Sequence, residues 1–417
     1  MNFSPCKHFF STAHKTPTTD SNSLLIHDFS IRFYTSISDI RAERSCTFGH
    51  FDDVFLSTDY LQFIERNPPR DFTFSYLVFV RKDSFGEKKG TIVGFMACQI
   101  KYFNAADSIN FTGRKDGWLT FKKWLARKVE YNTLIVGNLM LTGDHSFYFD
   151  DEALTFDEKK HLFTEGVDFA KKRLAEQGTK ITAVFIKDFA FETKNHALIQ
   201  SLEGYNAFQV EPNFKMALPL EWATFDDYLN ALSSKYRVRV KRALKKLADI
   251  EVKEFNYERI LAHKTRINDL YQQVCDNSAV NLVHLHADYF SNLKYELENI
   301  FRFFGYFKNG QLVGFYTTIK NGNDLEAHFL GYDLTENAEH QLYLNMLFDI
   351  IKTGISEKSK QIIFARTAHE IKSSVGAVAE EMSLFLKHEN GLFNWALPHA
   401  LPLLSPREVW TPRQPFK

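Results

Sequence analysis

Glu326 and His328 stand two residues apart in Leu325-Glu-Ala-His-Phe329. In an extended strand both point to one face, while Leu325, Ala327 and Phe329 take the other. A carboxylate or imidazole facing a cleft can accept a proton near neutral pH, so either is a candidate general base. His369 and Glu370 are rivals for that role, and Tyr332, just past Gly331, offers a phenol that could protonate a leaving group. For each of them the competing reading is an ordinary hydrogen-bonded structural residue. His284 and His286 could offer two imidazoles to a metal, but no acidic or cysteine partner follows at useful spacing, and no metal is expected.

The most polarised stretch is Lys235-Tyr-Arg-Val-Arg-Val-Lys-Arg-Ala-Leu-Lys-Lys-Leu247. Wound as a helix, it gathers Tyr236, Val240, Ala243, Leu244 and Leu247 on one narrow face, and seven basic residues cover the rest with no acid among them. Like charges at this density repel, so the helix gains from an anion nearby. A solvated outer face, a site for phosphate or nucleic-acid backbone, and contact with a membrane surface all stay open on the pattern alone.

Formal net charge is zero, from 51 basic and 51 acidic residues, so any attraction of nucleic acid or acidic membrane must be local. There is no Gly-x-x-x-x-Gly-Lys-Ser/Thr loop, no Gly-x-Gly-x-x-Gly after a strand and no Gly-x-Ser-x-Gly elbow. Nucleotide hydrolysis, dinucleotide redox chemistry and serine hydrolysis are thereby set aside. Cys6, Cys46, Cys98 and Cys275 have no paired spacing, which fits a reducing compartment. No apolar run reaches signal-peptide or membrane-span length, and the expected location is the cytoplasm. What remains is chemistry that needs little beyond positioning.

The elements that must do the positioning occur twice. Gly90-Thr-Ile-Val-Gly-Phe95 is echoed by Gly310-Gln-Leu-Val-Gly-Phe315, each after an apolar run of strand length, Tyr76 to Val80 and Phe301 to Phe307. Asn309-Gly310 is a strong hairpin signal, because a type I′ turn needs positive φ at both central residues. Each echo is followed by a strand closing on glycine, Leu134-Ile-Val-Gly137 and His328-Phe-Leu-Gly331. An amphipathic helix follows each: one opened by a Thr155 to Glu158 capping box and stopped at Gly178, the other carrying Leu342, Met346, Leu347, Ile350 and Ile351 and ending at Gly354. Strands Lys180 to Ile186 and Lys360 to Phe364 come next. An insertion, about Tyr102 to Asn132, alone disturbs the spacing.

A chain of 417 residues with 44% hydrophobic content suits two cores better than one. The reading is an α/β chain of two tandem lobes, each a twisted mixed sheet flanked by helices. Residues 1–26 form a flexible tail, 27–220 the first lobe, 221–404 the second (basic helix 234–247, core 250–390) and 405–417 a second tail.

This order of elements resembles the tandem GNAT-type acyltransferase fold of FemAB-like proteins. The run Tyr228-Leu-Asn-Ala-Leu-Ser-Ser-Lys-Tyr-Arg leading into the basic helix is similar to their entry helix, and Phe364-Ala-Arg-Thr-Ala-His-Glu-Ile-Lys-Ser-Ser-Val-Gly376 resembles their Lys-x-x-apolar-Gly signature. The resemblance spans roughly residues 27 to 390. It implies transfer of an acyl group, acetyl or aminoacyl, from an activated thioester or ester to an amine. It also implies that Lys372 serves the carbonyl oxygen; the base, Glu326, His328, His369 or Glu370, and Tyr332 at the leaving group are read from geometry and not from the resemblance. Arg366, at the exit of the preceding strand, could hold a phosphate or carboxylate with its planar fork.

The chain departs from the acetyl-CoA-dependent pattern where a glycine-rich loop would cradle pyrophosphate. That place reads Leu334-Thr-Glu-Asn-Ala-Glu-His-Gln-Leu342 in the second half and Thr142-Gly-Asp-His-Ser-Phe-Tyr-Phe-Asp150 in the first, with acids in both. Either acyl-CoA binds differently, with Lys235, Arg237 and Arg239 helping, or the donor is an aminoacyl-tRNA or an acyl-carrier protein. The acceptor would be a small amine or a cell-envelope precursor. Two fused halves could supply the pairing that single-unit relatives obtain by dimerising, which suits a monomer. A lapsed binding module on the same fold, and a nucleic-acid or membrane-surface binder using the basic helix, are the alternatives.

Overall fold

The computed structural model describes residues 22–42, 53–82, 90–104, 130–191, 193–277, 284–400 and 410–417. Its strands are β1 (Ser23–Ile26), β2 (Phe29–Tyr34), β3 (Phe72–Arg81), β4 (Thr91–Asn104), β5 (Glu130–Val136), β6 (Phe147–Phe149), β7 (Ile181–Ala190) and β8 (Asn206–Ala217) in the first half. The second half holds β9 (Ile250–Glu254), β10 (Phe301–Lys308), β11 (Gln311–Asn321), β12 (Asp324–Tyr332), β13 (Gln361–Ala365) and β14 (Val378–His388). Most of the expected insertion, 105–129, lies outside the described residues, and its flanks prolong β4 and β5.

The two halves repeat one another. β3 and β4 form an antiparallel hairpin, β5 joins β4 antiparallel, and β7 adds parallel to β5 after the helix Phe156–Glu176. β10, β11, β12 and β13 do the same around the helix Leu342–Ser356. Both VGF glycines stand where a neighbour approaches closely. A Cβ on Gly94 would lie 2.4 Å from the Phe149 ring, and one on Gly314 would lie 2.7 Å from Met346 Cε. Asn309 and Gly310 take φ of 50° and 77°, the left-handed pair their hairpin requires.

Both central hairpins are buried on two faces, which is why their strands read as unbroken apolar runs. One core packs the first lobe against the helix Phe156–Glu176, and another packs the second against the helix Leu342–Ser356. A third belongs to both lobes, joining Phe55, Tyr60 and Phe63 to Tyr289, Phe290 and Phe315. Each buried aromatic of this kind contributes roughly 1.5–3 kcal/mol, so the lobes are welded rather than tethered.

The two sheets expected from the repeat are in fact one, because the lobes exchange their last strands. β8 pairs with β13 of the second lobe, β14 pairs with β7 of the first, and β8 and β14 pair with each other. The result is a single 14-stranded mixed sheet. Strand exchange leaves no free edge at the join.

Three expectations need correcting. Gly354 does not end its helix, which runs on to Ser356; the glycine faces Ile362 and Leu218, where a side chain would not fit. Ser23–Ile26, placed in the first tail, is β1. Residues 410–417 are held rather than loose: Pro415 O accepts from Ser233 N at 2.9 Å, Arg413 pairs with Glu370, and Trp410 packs on Phe214 and His369.

Candidate active site

β12 and β13 pair only from Asp324 with Gln361 to Glu326 with Ile363. Beyond that point β13 stops at Ala365 while β12 runs on to Tyr332, and a cavity of about 570 Å³ opens between them. A bulge helps to open it. Thr318 pairs with Ala327 and Tyr316 with Leu330, so His328 and Phe329 together oppose Thr317. The Thr317 hydroxyl holds this extra residue, donating to Phe329 O at 2.7 Å and accepting from Phe329 N at 2.9 Å. Bulges of this kind re-aim side chains beside functional sites.

The opposite wall is the loop after β13. Ala365, Thr367 and Ala368 take φ of 56°, 72° and 51°, three non-glycine residues in left-handed geometry that their surroundings must hold. Lys372, from the helix His369–Val375, supplies the clamp by donating to Ala365 O at 3.1 Å and to Arg366 O. Its side chain is buried, and burial pulls its ammonium down to about 7. Two carbonyl acceptors are as many as a neutral amine can serve, so the geometry tolerates either charge state.

Arg366 lines the cavity and reaches back to Asp188 of the first lobe. Asp188 is 1% exposed and also meets Lys187 Nζ at 3.0 Å. Burial pushes the Asp188 carboxyl up, but Lys187 and Arg366 outweigh it and hold it below the usual range. Lys187 Nζ donates its hydrogen bonds to Asn138 O at 2.9 Å and Leu141 O at 2.6 Å, while burial pulls its ammonium down and Asp188 opposes that.

His328 lines the cavity from the β12 side, with Nε2 2.8 Å from Tyr289 OH and its ring stacked on that residue. Burial pulls its pKa down to about 3, which keeps the imidazole neutral. Tyr289 is in turn hydrogen-bonded to Tyr60, which accepts from Asn138 Nδ2 at 3.3 Å. Tyr332 lines the same cavity, and burial raises its phenol.

Glu326 shares a strand face with His328 but turns to the seam between the lobes and is absent from the cavity wall. Burial raises it to about 8, with the His145 charge opposing and Asp53 adding. There Asp53 Oδ2 holds His145 Nδ1 at 2.7 Å; burial pulls His145 down, but Asp53 and Glu326 carry it up to about 9. Glu370 is also off the cavity. It faces solvent and is paired with Arg413, which holds its carboxyl below the usual range.

A second cavity of about 510 Å³ adjoins the first, sharing Arg239, Gln341 and Ile371 with it. Lys235, Arg239, Arg242 and Lys246 of the helix Ser234–Lys245 and its C-terminal cap make it basic. The apolar face of that helix is as expected, with Val240 and Ala243 buried. Arg237 is the exception among the cationic candidates: its guanidinium donates to Leu229 O at 2.9 Å and Leu232 O at 2.9 Å, caps the preceding helix and turns away from the groove.

At the start of the helix Leu334–His340, Asp333 Oδ1 accepts from Thr335 N at 3.0 Å and Glu336 N at 3.3 Å. The amides that would cradle a pyrophosphate are thus already occupied. Glu336, Glu339 and His340 cluster on this helix, and Lys308 sits on both glutamates as their cation.

The structure therefore gathers Lys372, His328, Tyr332, Arg366 and Arg239 at one cavity, puts Lys235 and Glu370 on the adjoining groove and leaves Glu326 and Arg237 elsewhere. Sequence reasoning missed Lys187, Asp188, Tyr289 and Thr317. A charged Lys187-Asp188 pair inside the apolar strand Ile181–Ala190 was the one available signal.

No family model and no curated protein matches the chain. Among solved structures it is similar to FemX, at 11% identity and a TM-score of 0.49 over 83% of this chain and 94% of that one. It is similar to L-PGS from Bacillus licheniformis at 11% identity and a TM-score of 0.45, covering 83% and 96%. It is similar also to a tandem GNAT protein from the clavulanic acid biosynthesis pathway, at 10% identity and 0.46, covering 86% and 99%. Hairpin, parallel strand pair and crossover helix are built twice into one sheet, the tandem order of elements that the sequence repeat predicts.

Proposed function

We propose that the chain is an N-acyltransferase that moves an acetyl or aminoacyl group from an activated thioester or ester to an amine. The observation that carries this is the convergence of His328, Tyr332, Arg366 and Lys372 on the cavity where β12 and β13 part. The amine attacks the donor carbonyl, a C–N bond forms and the C–S or C–O bond breaks. The amine enters as the free base; His328, neutral and held at Nε2 by Tyr289, orients its lone pair by accepting a hydrogen bond from one of its N–H groups, and the amine proton leaves through Tyr332. Lys372 fixes the loop and, when protonated, has one N–H left for the oxygen that gains charge. Tyr332 returns a proton to the leaving thiolate or alkoxide.

The donor's phosphates belong in the adjoining groove on Lys235 and Arg239. Acyl-CoA and acyl-carrier protein carry phosphate at the far end of a pantetheine arm and aminoacyl-tRNA carries it on the terminal nucleotides, and any of them suits a basic groove that adjoins the cavity. A second reading, binding without catalysis, is favoured by Asp333 occupying the helix amides. Calorimetry with coenzyme A, acetyl-CoA and aminoacyl-tRNA, followed by mass spectrometry of product on an amine panel, separates the two. Donor binding with turnover that Lys372→Ala abolishes supports catalysis. Turnover unchanged in Lys372→Ala removes that residue from the mechanism, and salt-sensitive binding of nucleic acid or anionic vesicles without turnover favours a surface binder.

A further inference from the structure

We propose that the cavity captures the carboxylate of its amine substrate on Arg366, and that Asp188, from the other lobe, is the positioning residue that aims that guanidinium. Arg366 Nε is buried and has no hydrogen-bond partner, although the side chain lines the cavity. A buried N–H left open beside a cavity is a vacancy for an acceptor. The opposite end of the guanidinium is fixed by Asp188, and Asp188 is fixed by Lys187.

Charge selects the class of anion. Burial pulls the Lys187 ammonium down and Asp188, 3.0 Å from its Nζ, opposes that, so Lys187, Asp188 and Arg366 together carry at most one net positive charge. That matches a monoanionic carboxylate better than a phosphate dianion, for which the neighbouring groove has Lys235, Arg242 and Lys246 besides the shared Arg239 and the Arg413 paired with Glu370. Tyr316, Phe329, Tyr343 and Leu347 supply apolar wall for the body of the molecule. The substrate class is an amino acid or similar amine bearing one carboxylate. This rests on the acyl-transfer reading for the role of the amine, but carboxylate capture is read by binding alone.

The test is calorimetry of the full chain with L-phenylalanine and L-leucine, with the matched amines lacking the carboxylate, phenethylamine and isoamylamine, and with inorganic phosphate. At least one amino acid should bind about tenfold or more tightly than its amine, because a site built for a charged group rejects the analogue without it. Arg366→Gln should erase that preference. Asp188→Asn should shrink it while leaving amine affinity unchanged, a selective effect that general loosening would not give.

Equal affinity for acid and amine in the wild type, needing no variant, overturns the proposal, as does phosphate binding alone or a preference that survives Arg366→Gln. A preference unchanged in Asp188→Asn overturns the positioning role. Turnover on carboxylate-free amines with no preference would sink this inference and spare the acyltransferase. Carboxylate preference without turnover of any donor would do the reverse.

Discussion

At the ends of β5 and β12 the two lobes meet the same local problem, two parallel strands that must part, and treat it differently. In the first lobe the pairing of β5 with β7 runs to Val136 and Ile186 at the very end of β5, and Lys187 then fills the gap by bonding Asn138 O and Leu141 O. In the second the pairing ends early and a cavity follows. One matched position accompanies the difference. Counting from the VGF triplets, Thr317 in the second lobe corresponds to Ala97 in the first. Thr317 holds a bulge in β12, whereas β4 and β5 pair in unbroken register. The same fold written twice thus yields a scaffold and a working cleft.

The largest effect should come from removing the clamp. Lys372→Met leaves the loop carbonyls of Ala365 and Arg366 unheld, and acyl transfer should fall about a hundredfold, as expected for a misplacement of about 1 Å in a positioned site. Lys187→Met, on the matching side of the first lobe, should mainly lower thermal stability and, by loosening Asp188 and with it Arg366, weaken amine binding, with a smaller loss of turnover per folded molecule than Lys372→Met.

Paired glycines sharpen the contrast. A Cβ at Gly331 would lie 2.7 Å from the backbone of Leu270 and Tyr271, and Tyr271 lines the cavity. Gly331→Ala should cost about 1–3 kcal/mol in urea unfolding and weaken donor binding as well. Gly137→Ala, at φ 119°, should cost roughly 1–2 kcal/mol and leave donor binding unchanged. Equal effects on binding would erase the distinction between the lobes.

Thr317→Val tests the origin of the cavity, since it keeps the volume and removes both bonds to Phe329. Stability should fall by about 1–2 kcal/mol, and proton exchange at β12 amides should quicken. In the groove, Arg239→Gln should weaken donor binding about tenfold or less and flatten its salt dependence, while Arg237→Gln should leave both alone.

The repeat, both hairpins and the basic helix were legible because each depends on local periodicity and turn chemistry. The exchange of β8 and β14 was not, since both strands read alike whichever neighbour they pair with. Lys372, Tyr332 and His328 were reachable from spacing and resemblance. Glu326 shares the strand face of His328 yet meets the seam, because face alternation says nothing about which lobe covers that face. Asp188 was hidden for a related reason: its partner lies across the exchange, far away in sequence.

The smallest predicted effect concerns that seam. His145 has its pKa raised to about 9 from an ordinary 6.5, so its contribution to stability is complete below 6.5 and is lost as pH rises through 9. Asp53→Asn should therefore destabilise the protein more near neutral pH than above pH 9. A loss of stability independent of pH would mean that the Asp53–His145 pair, both from the first lobe, does not stabilise the seam electrostatically.

Hydrogen–deuterium exchange with a bound donor tests the division of labour most directly. With coenzyme A, acetyl-CoA or aminoacyl-tRNA added in turn, protection should appear at residues 235–246, 327–332 and 365–372 for the donor that binds, and residues 137–142 should not change. Protection confined to the first lobe, or none with any donor, would contradict the assignment of the cleft to the parted strands of the second.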